Sequence, residues 1–131
     1  MDLISISQEK DSIFKTHIRK HCFSSDMSIE DGGTDTAPSP ADFLASSLGL
    51  CIAMIIQRYC KSHGLDDTGI NLSMTYLLKN NPKMISSITI DIALPENFPH
   101  RKKQAILNSV RTCVIYNSLD KNIEIDIDFE E

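Results

Sequence analysis

No residue from Phe43 to Ile56 is charged, and the apolar or small side chains there (Leu44, Ala45, Leu48, Gly49, Leu50, Ala53, Met54, Ile55) occupy every side of a helical wheel. A helix of this kind must be covered all round. Its ends are also written in the chain. Ser39 can cap, Pro40 suits the first helical position, and Asp42 stands three residues after the cap, as in a capping box. Arg58, Lys61 and His63 favour the negative end of the helix dipole, and Gly64 is the expected left-handed terminator. The pattern predicts one long helix within Ala37 to Gly64, with Cys51 at its centre.

The uncharged run is shorter than the roughly 18 apolar residues that a bilayer demands, so it reads as a core helix and not as a membrane span. At about 1.5 Å per residue, some 24 residues reach about 36 Å, close to the diameter of a domain this size. One sheet face and a second helix leave part of that circumference open. A partner subunit is expected to close it, and Ser46, Ser47, Gly49 and Ala53 permit the close approach.

The remaining pattern is mostly period two. Leu3 to Ser7 and Ile13 to His21 look like two strands joined across Gln8 to Asp11, and Cys22 to Ile29 is a candidate third. A loop with Gly32 and Gly33 then leads into the long helix. Beyond Gly64, Ile70, Leu72, Met74, Tyr76 and Leu78 alternate with polar residues, Asn80-Asn81-Pro82 marks a turn, and Ile88, Ile90, Ile92 and Leu94 return. A second helix follows Pro99, with Ile106, Leu107, Val110, Cys113 and Val114 on one stripe. After a break at Asn117 to Asn122, Ile123, Ile125, Ile127 and Phe129 alternate with Glu124, Asp126 and Asp128 in a one-sided strand. The order ββ(β)αββαβ, with mainly antiparallel neighbours, predicts a single α+β domain over residues 1–131.

Composition narrows the partners. A formal charge of -5 and a pI near 5.3 argue against nucleic acid or an anionic membrane, both of which demand a basic face. The start, MDLISISQEKD, lacks the basic and apolar regions of a signal peptide, which points to the cytoplasm. There the four cysteines read as thiols, ligands or redox residues and not as a disulfide framework.

Cys51 and Cys113 fall where the two helices should meet. A thiolate that attacks a peroxide O–O bond becomes a sulfenic acid, which a second thiol converts to a disulfide. Burial alone raises a thiol pKa, so a reactive Cys51 needs a cation, and Arg58, seven residues on, lies nearly on its face but about 10 Å along the axis. Arg19, Arg111 or a residue of a partner subunit are alternatives. The other reading of either cysteine is a small buried hydrophobe. Cys60 is out of phase with Cys51 and reads as structural. His17, His21 with Cys22, and Cys60 with His63 form no strong metal-ligand spacing, and Gly32-Gly33 is neither a dinucleotide fingerprint nor a P-loop, so no metal or nucleotide cofactor is expected.

At Asp31-Gly32-Gly33, Ala37-Pro38-Ser39-Pro40-Ala41-Asp42-Phe43-Leu44 and Ser47-Leu48-Gly49-Leu50-Cys51, the chain resembles the OsmC/Ohr family. The resemblance implies an OsmC-like fold, in which a mainly antiparallel sheet wraps long central helices in an intertwined homodimer. It implies a peroxidatic Cys51, a resolving Cys113, organic hydroperoxides as substrates and an external dithiol, by family analogy a lipoyl group, as reductant. Arg19, Asp42 and Arg58 are the candidates to activate Cys51. Where hydroperoxide-reducing members carry a glutamate ten residues before the first cysteine, this chain has Ala41, and Val114 stands where a proline usually follows the second. The alternative is a dimeric binding protein for a small apolar or thiol-reactive ligand, with little or no turnover.

Overall fold

A computed structural model describes residues Met1–Glu131. Two compact units are distinguished, residues 1–44 and 45–131. The first holds an antiparallel meander of β1 (Ile4–Lys10), β2 (Ile13–Ile18) and β3 (His21–Ser25). The strand expected over Ile13 to His21 thus ends at Ile18, and the third strand begins at His21. Arg19 takes a positive φ of 51°, and Arg19 and Lys20 form a tight turn that pairs Ile18 with His21. No glycine, asparagine or proline announced that turn. The candidate third strand ends at Ser25, and Ile29–Asp31 forms one 3-10 turn instead.

Asp26 organises the loop that follows. It is buried, and its Oδ1 accepts hydrogen bonds from the Ser12 hydroxyl and the Met27 N–H, while Oδ2 accepts from the N–H and hydroxyl of both Thr34 and Thr36. Four hydroxyl and amide groups of the loop are therefore satisfied by one oxygen. These bonds, that of Ser12 first and then that of Thr34, hold the carboxyl well below the usual range against the opposing effect of burial.

Helix α1 (Pro40–Ser62) starts and stops where the sequence indicates. The capping box is reciprocal: the Asp42 N–H donates to Ser39 Oγ at 3.2 Å, and the Ser39 N–H donates to Asp42 Oδ2 at 2.9 Å. At the other end Gly64 has φ +66°, its N–H donates to Lys61 O, and the Leu65 N–H donates to Cys60 O at 2.8 Å, a Schellman closure. Ala45, Leu48, Gly49, Ile52, Ile56 and Cys60 form the buried face. Over an 18-residue window the helix is long and apolar enough to cross a membrane by length and composition. A buried core helix passes the same test, and α1 buries this face within its own unit.

The second unit contains β4 (Asn71–Lys79), β5 (Met84–Ala93) and β6 (Glu124–Phe129) in the order β4-β5-β6. Ile85, Ile88, Ile90 and Ile92 of the central strand are buried. Gly49 lets β4 approach α1, for a Cβ there would stand 2.6 Å from the Met74 sulfur. A register shift between Leu77 and Leu78 ends the alternation of β4 early, and both leucines are exposed. β4 and β5 are antiparallel, whereas β5 and β6 are parallel. A helical crossover between them returns the chain in the same direction, as parallel pairing requires. On β6, Glu124, Asp126 and Asp128 face solvent as expected.

That crossover differs from the single second helix read in the sequence. It is α2 (Lys103–Val110) followed by a break and α3 (Val114–Ser118). The Thr112 and Cys113 N–H groups donate to the carbonyls of Ser109 and Val110, a tightened turn that ends α2, and Cys113 is extended at φ -70°, ψ 123°. The apolar stripe therefore stops at Val110, and Val114 is exposed.

Candidate active site

The break places Cys113 at the N-cap of α3 and not on a helix face. Its sulfur accepts the Tyr116 N–H at 3.3 Å. The side chain still faces inward: Cys113 is only 1% exposed, and the Cys51 thiol of α1 is among the groups that act on its own. Cys51 is half-buried, and neither cysteine is in a disulfide. Burial pushes the Cys113 thiol up, and the neighbouring Cys51 thiol adds to this, while the Tyr116 and Ile115 N–H groups act the other way. No lysine or arginine is among the groups that act on it.

Chemically the arrangement is a dithiol. One thiol is half-buried and its neighbour is enclosed. Cys51 sits there because the buried face of α1 is turned elsewhere: the face through Cys51, Ile55, Arg58 and Ser62 looks toward the α2–α3 junction. Further along this face, Ile55, Arg58, Tyr59, Ser62, Ser109 and Thr112 line a cavity of about 170 Å3.

The remaining candidates are not gathered at the sulfurs. Arg58 is exposed and lines that cavity, two helical turns from Cys51. Asp42 is engaged in the cap. Arg19 lies in the first unit and forms an ion pair with Asp2 at 2.9 Å. Cys60 is buried at the end of α1, where burial, then Asp67 and Asp66, raise its thiol. Cys22 is exposed on β3 opposite His17. No three His, Cys, Asp or Glu side chains are grouped so as to hold a metal ion. Sequence reasoning missed Asp26, for which the only available signal was an aspartate followed by threonines in a glycine loop.

The first unit also has a cavity, of about 530 Å3, whose apolar wall is Ile6, Phe14, Phe23, Met27, Pro40 and Phe43. Phe23 and Phe43 pack with ring centroids 5.0 Å apart.

An α+β protein with a three-stranded meander, a long capped helix carrying a free thiol, and a second, buried free thiol beside it has the architecture of the OsmC-like proteins. The chain belongs to that family: the profile described as OsmC-like protein matches residues 33–128. A comparison with curated protein sequences finds no match. Among solved structures, a protein of Psychrobacter arcticus 273-4 assigned to the osmotic stress and detoxification response is similar at a TM-score of 0.93 and 20% identity, covering 99% of this chain and 96% of that one. An OsmC-like protein of Mycoplasma pneumoniae gives 0.85 and 14%, covering 99% and 96%. An organic hydroperoxide resistance protein of Legionella pneumophila gives 0.78 and 12%, covering 100% and 97%. At these identities the likeness establishes the fold.

Proposed function

We propose that this chain reduces organic hydroperoxides with its two thiols. The Cys51 thiolate attacks the terminal peroxide oxygen, the O–O bond breaks, and Cys51 becomes a sulfenic acid as the alcohol leaves. The Cys113 sulfur then attacks the Cys51 sulfur, water departs, and a disulfide remains. An external dithiol, with a lipoyl group as the leading class, reduces it by exchange through a mixed disulfide. The observation that carries this reading is that the enclosed Cys113 thiol has the half-buried Cys51 thiol as an interacting neighbour. The naming of the similar Legionella protein for organic hydroperoxide resistance supports the substrate class.

The working form is a cytoplasmic homodimer. Leu44, Leu50 and Met54 are exposed along α1, consistent with a second copy covering what one chain leaves open. The cation that activates Cys51 comes from Arg58, Arg19 or that second copy.

A second reading keeps the dimer as a binding protein for a small apolar ligand. The cavity of about 530 Å3 in the first unit favours it, as does Ala41 at a position where peroxidases of the family carry a carboxylate. Titrating thiols after adding an alkyl hydroperoxide separates the two. Rapid loss of two thiols per chain, abolished by Cys51→Ser, supports the peroxidase. Thiols unchanged over an hour leave the binding protein.

A further inference from the structure

The sulfur of Cys113 has two tasks at once. It neighbours the Cys51 thiol, and it caps α3 by accepting the Tyr116 N–H at 3.3 Å. We propose that α3 is a redox gate: it is held closed by the Cys113 thiol as its N-cap and released when that sulfur joins Cys51 in a disulfide. The disulfide rests on the reading of the two thiols given above.

Three features of α3 make the cap decisive. It has five residues, too few for a helix to persist on propensity alone, and none of the five is buried. Tyr116, Asn117 and Leu119 line a cavity of about 350 Å3 together with Asp120, Lys121, Ile123 and Ile125. Packing against the sheet is therefore thin there. What remains is a small set of polar ties: the Cys113 sulfur to the Tyr116 N–H, the Asn117 N–H to Cys113 O at 3.0 Å, the Asn117 side-chain amide to Arg111 O at 2.9 Å, and the Ser118 hydroxyl to Val114 O at 2.7 Å.

Disulfide formation strikes the first of these. A sulfur–sulfur bond is about 2.05 Å long, far shorter than any contact between unbonded thiols, so its formation draws the Cys113 sulfur toward α1. The contact to the Tyr116 N–H, at 3.3 Å an ordinary length for a sulfur acceptor, is lost in that movement. A disulfide sulfur is also a poorer acceptor than a thiol or thiolate. The electrons balance without further reagents: the hydroperoxide takes two electrons from the two thiols and leaves as alcohol and water, and the dithiol later returns two. The gate answers a steric problem, since Cys113 at 1% exposure closes one side of the bond that the dithiol must attack. Once α3 loosens, that side opens in the oxidised state alone.

NMR amide exchange at Tyr116 and Asn117 tests this in the full-length protein. Diamide is used to form the disulfide, verified by the loss of two hydrogen atoms in the intact mass. Oxidation is expected to speed exchange in residues 114–118 by about 5- to 30-fold, the range that loss of one good cap produces, while residues 103–110 stay unchanged. Cys113→Ala should exchange fast without oxidant, and Cys113→Ser, which keeps a capping oxygen, should stay slow with or without it. A verified disulfide that leaves Tyr116 exchange unaltered, a slow Cys113→Ala, or failure of diamide to join the two sulfurs overturns the gate. Diamide needs no peroxide chemistry, so inertness toward an alkyl hydroperoxide sinks the peroxidase and leaves the gate standing.

Discussion

The two glycines of the loop before α1 are adjacent in sequence but required for opposite reasons, and alanine at each should separate them. Gly32 has φ +94°, and no atom lies within 4 Å of where its Cβ would be. Alanine there costs only the left-handed backbone, roughly 1–2 kcal/mol. Gly33 has an ordinary φ, but a Cβ would stand 2.5 Å from the Met27 carbonyl carbon, 2.8 Å from Asp26 Oδ1 and closer still to the Met27 oxygen. Carbon atoms in contact prefer about 3.5–4.0 Å, so the Met27 peptide must withdraw by about 1 Å. That peptide is not free to move. Its oxygen accepts the Asp35 N–H at 3.1 Å and its N–H donates to Asp26 at 2.7 Å. Overpacking at about 1–3 kcal/mol and one net hydrogen bond at about 1 kcal/mol together predict a loss of about 2–4 kcal/mol for Gly33→Ala. In urea, followed by circular dichroism at one fixed protein concentration, the midpoint should fall by about 1–2 M. Gly32→Asn should nearly match the wild type, since asparagine tolerates this region. If Gly33→Ala unfolds at the wild-type midpoint while Gly32→Ala does not, close approach is not what fixes this loop.

Two further predictions concern pH. Asp26 is held below its unfolded pKa, so the folded state binds its proton less readily than the unfolded state does. Its contribution is complete above about pH 4 and is lost as pH falls through the lowered value. Acid titration of Asp26→Asn should therefore show a shallower loss of stability below pH 4 than the wild type, with lower stability at neutral pH; a parallel loss in both would refute the assignment. Cys60 and Cys113 have raised pKa values, so the unfolded state releases their protons first and stability is full below about pH 8.5 and declines as pH rises beyond it. Iodoacetamide at pH 8, read by peptide mass, should label exposed Cys22 at least tenfold faster than Cys113. Equal rates would mean that Cys113 is not enclosed.

Wherever a local rule was sufficient, the fold was legible. The bounds of α1 follow from Ser39, Pro40, Asp42 and Gly64, each of which acts through groups within a few residues of itself. Cys51 at the centre of α1 followed from the same signals, whereas the helical stripe that carried Cys113 inward ends at Val110, and Cys113 is buried as the extended cap of α3 instead. Other features depend on partners distant in sequence. The parallel pairing of β6 is decided by the length and course of the crossover, and the alternation of Ile123 to Phe129 is the same for either direction. Residues 111–113 contain no glycine or proline, and the break there is closed by the Asn117 side chain reaching back to Arg111 O. Asp26 collects donors from Ser12, Thr34 and Thr36, which no window of a strand or helix pattern spans.

The same distinction bears on the surface that α1 leaves uncovered. Its apolar residues surround the helix in the sequence, yet only the face from Ala45 through Cys60 is buried, while Leu50 is 58% and Met54 61% exposed. Burying a leucine or methionine fully yields about 1.5–3 kcal/mol, and about three fifths of each is still exposed, so these two positions supply about 4–7 kcal/mol across a symmetric pair. Association costs an estimated 4–15 kcal/mol in lost freedom, which makes the two positions necessary to a dimer and insufficient alone. Leu77 and Leu78 on β4 and the apolar wall of the first-unit cavity are the further surface available. Aspartate at both Leu50 and Met54 would put four carboxylates into the seam and should yield monomers by size-exclusion chromatography with light scattering. Such monomers should lose thiol oxidation by hydroperoxide to the extent that a second copy supplies the cation for Cys51. A wild-type protein that remains soluble at a mass of 14.7 kDa across micromolar concentrations would show that α1 tolerates this exposure and that one chain is sufficient.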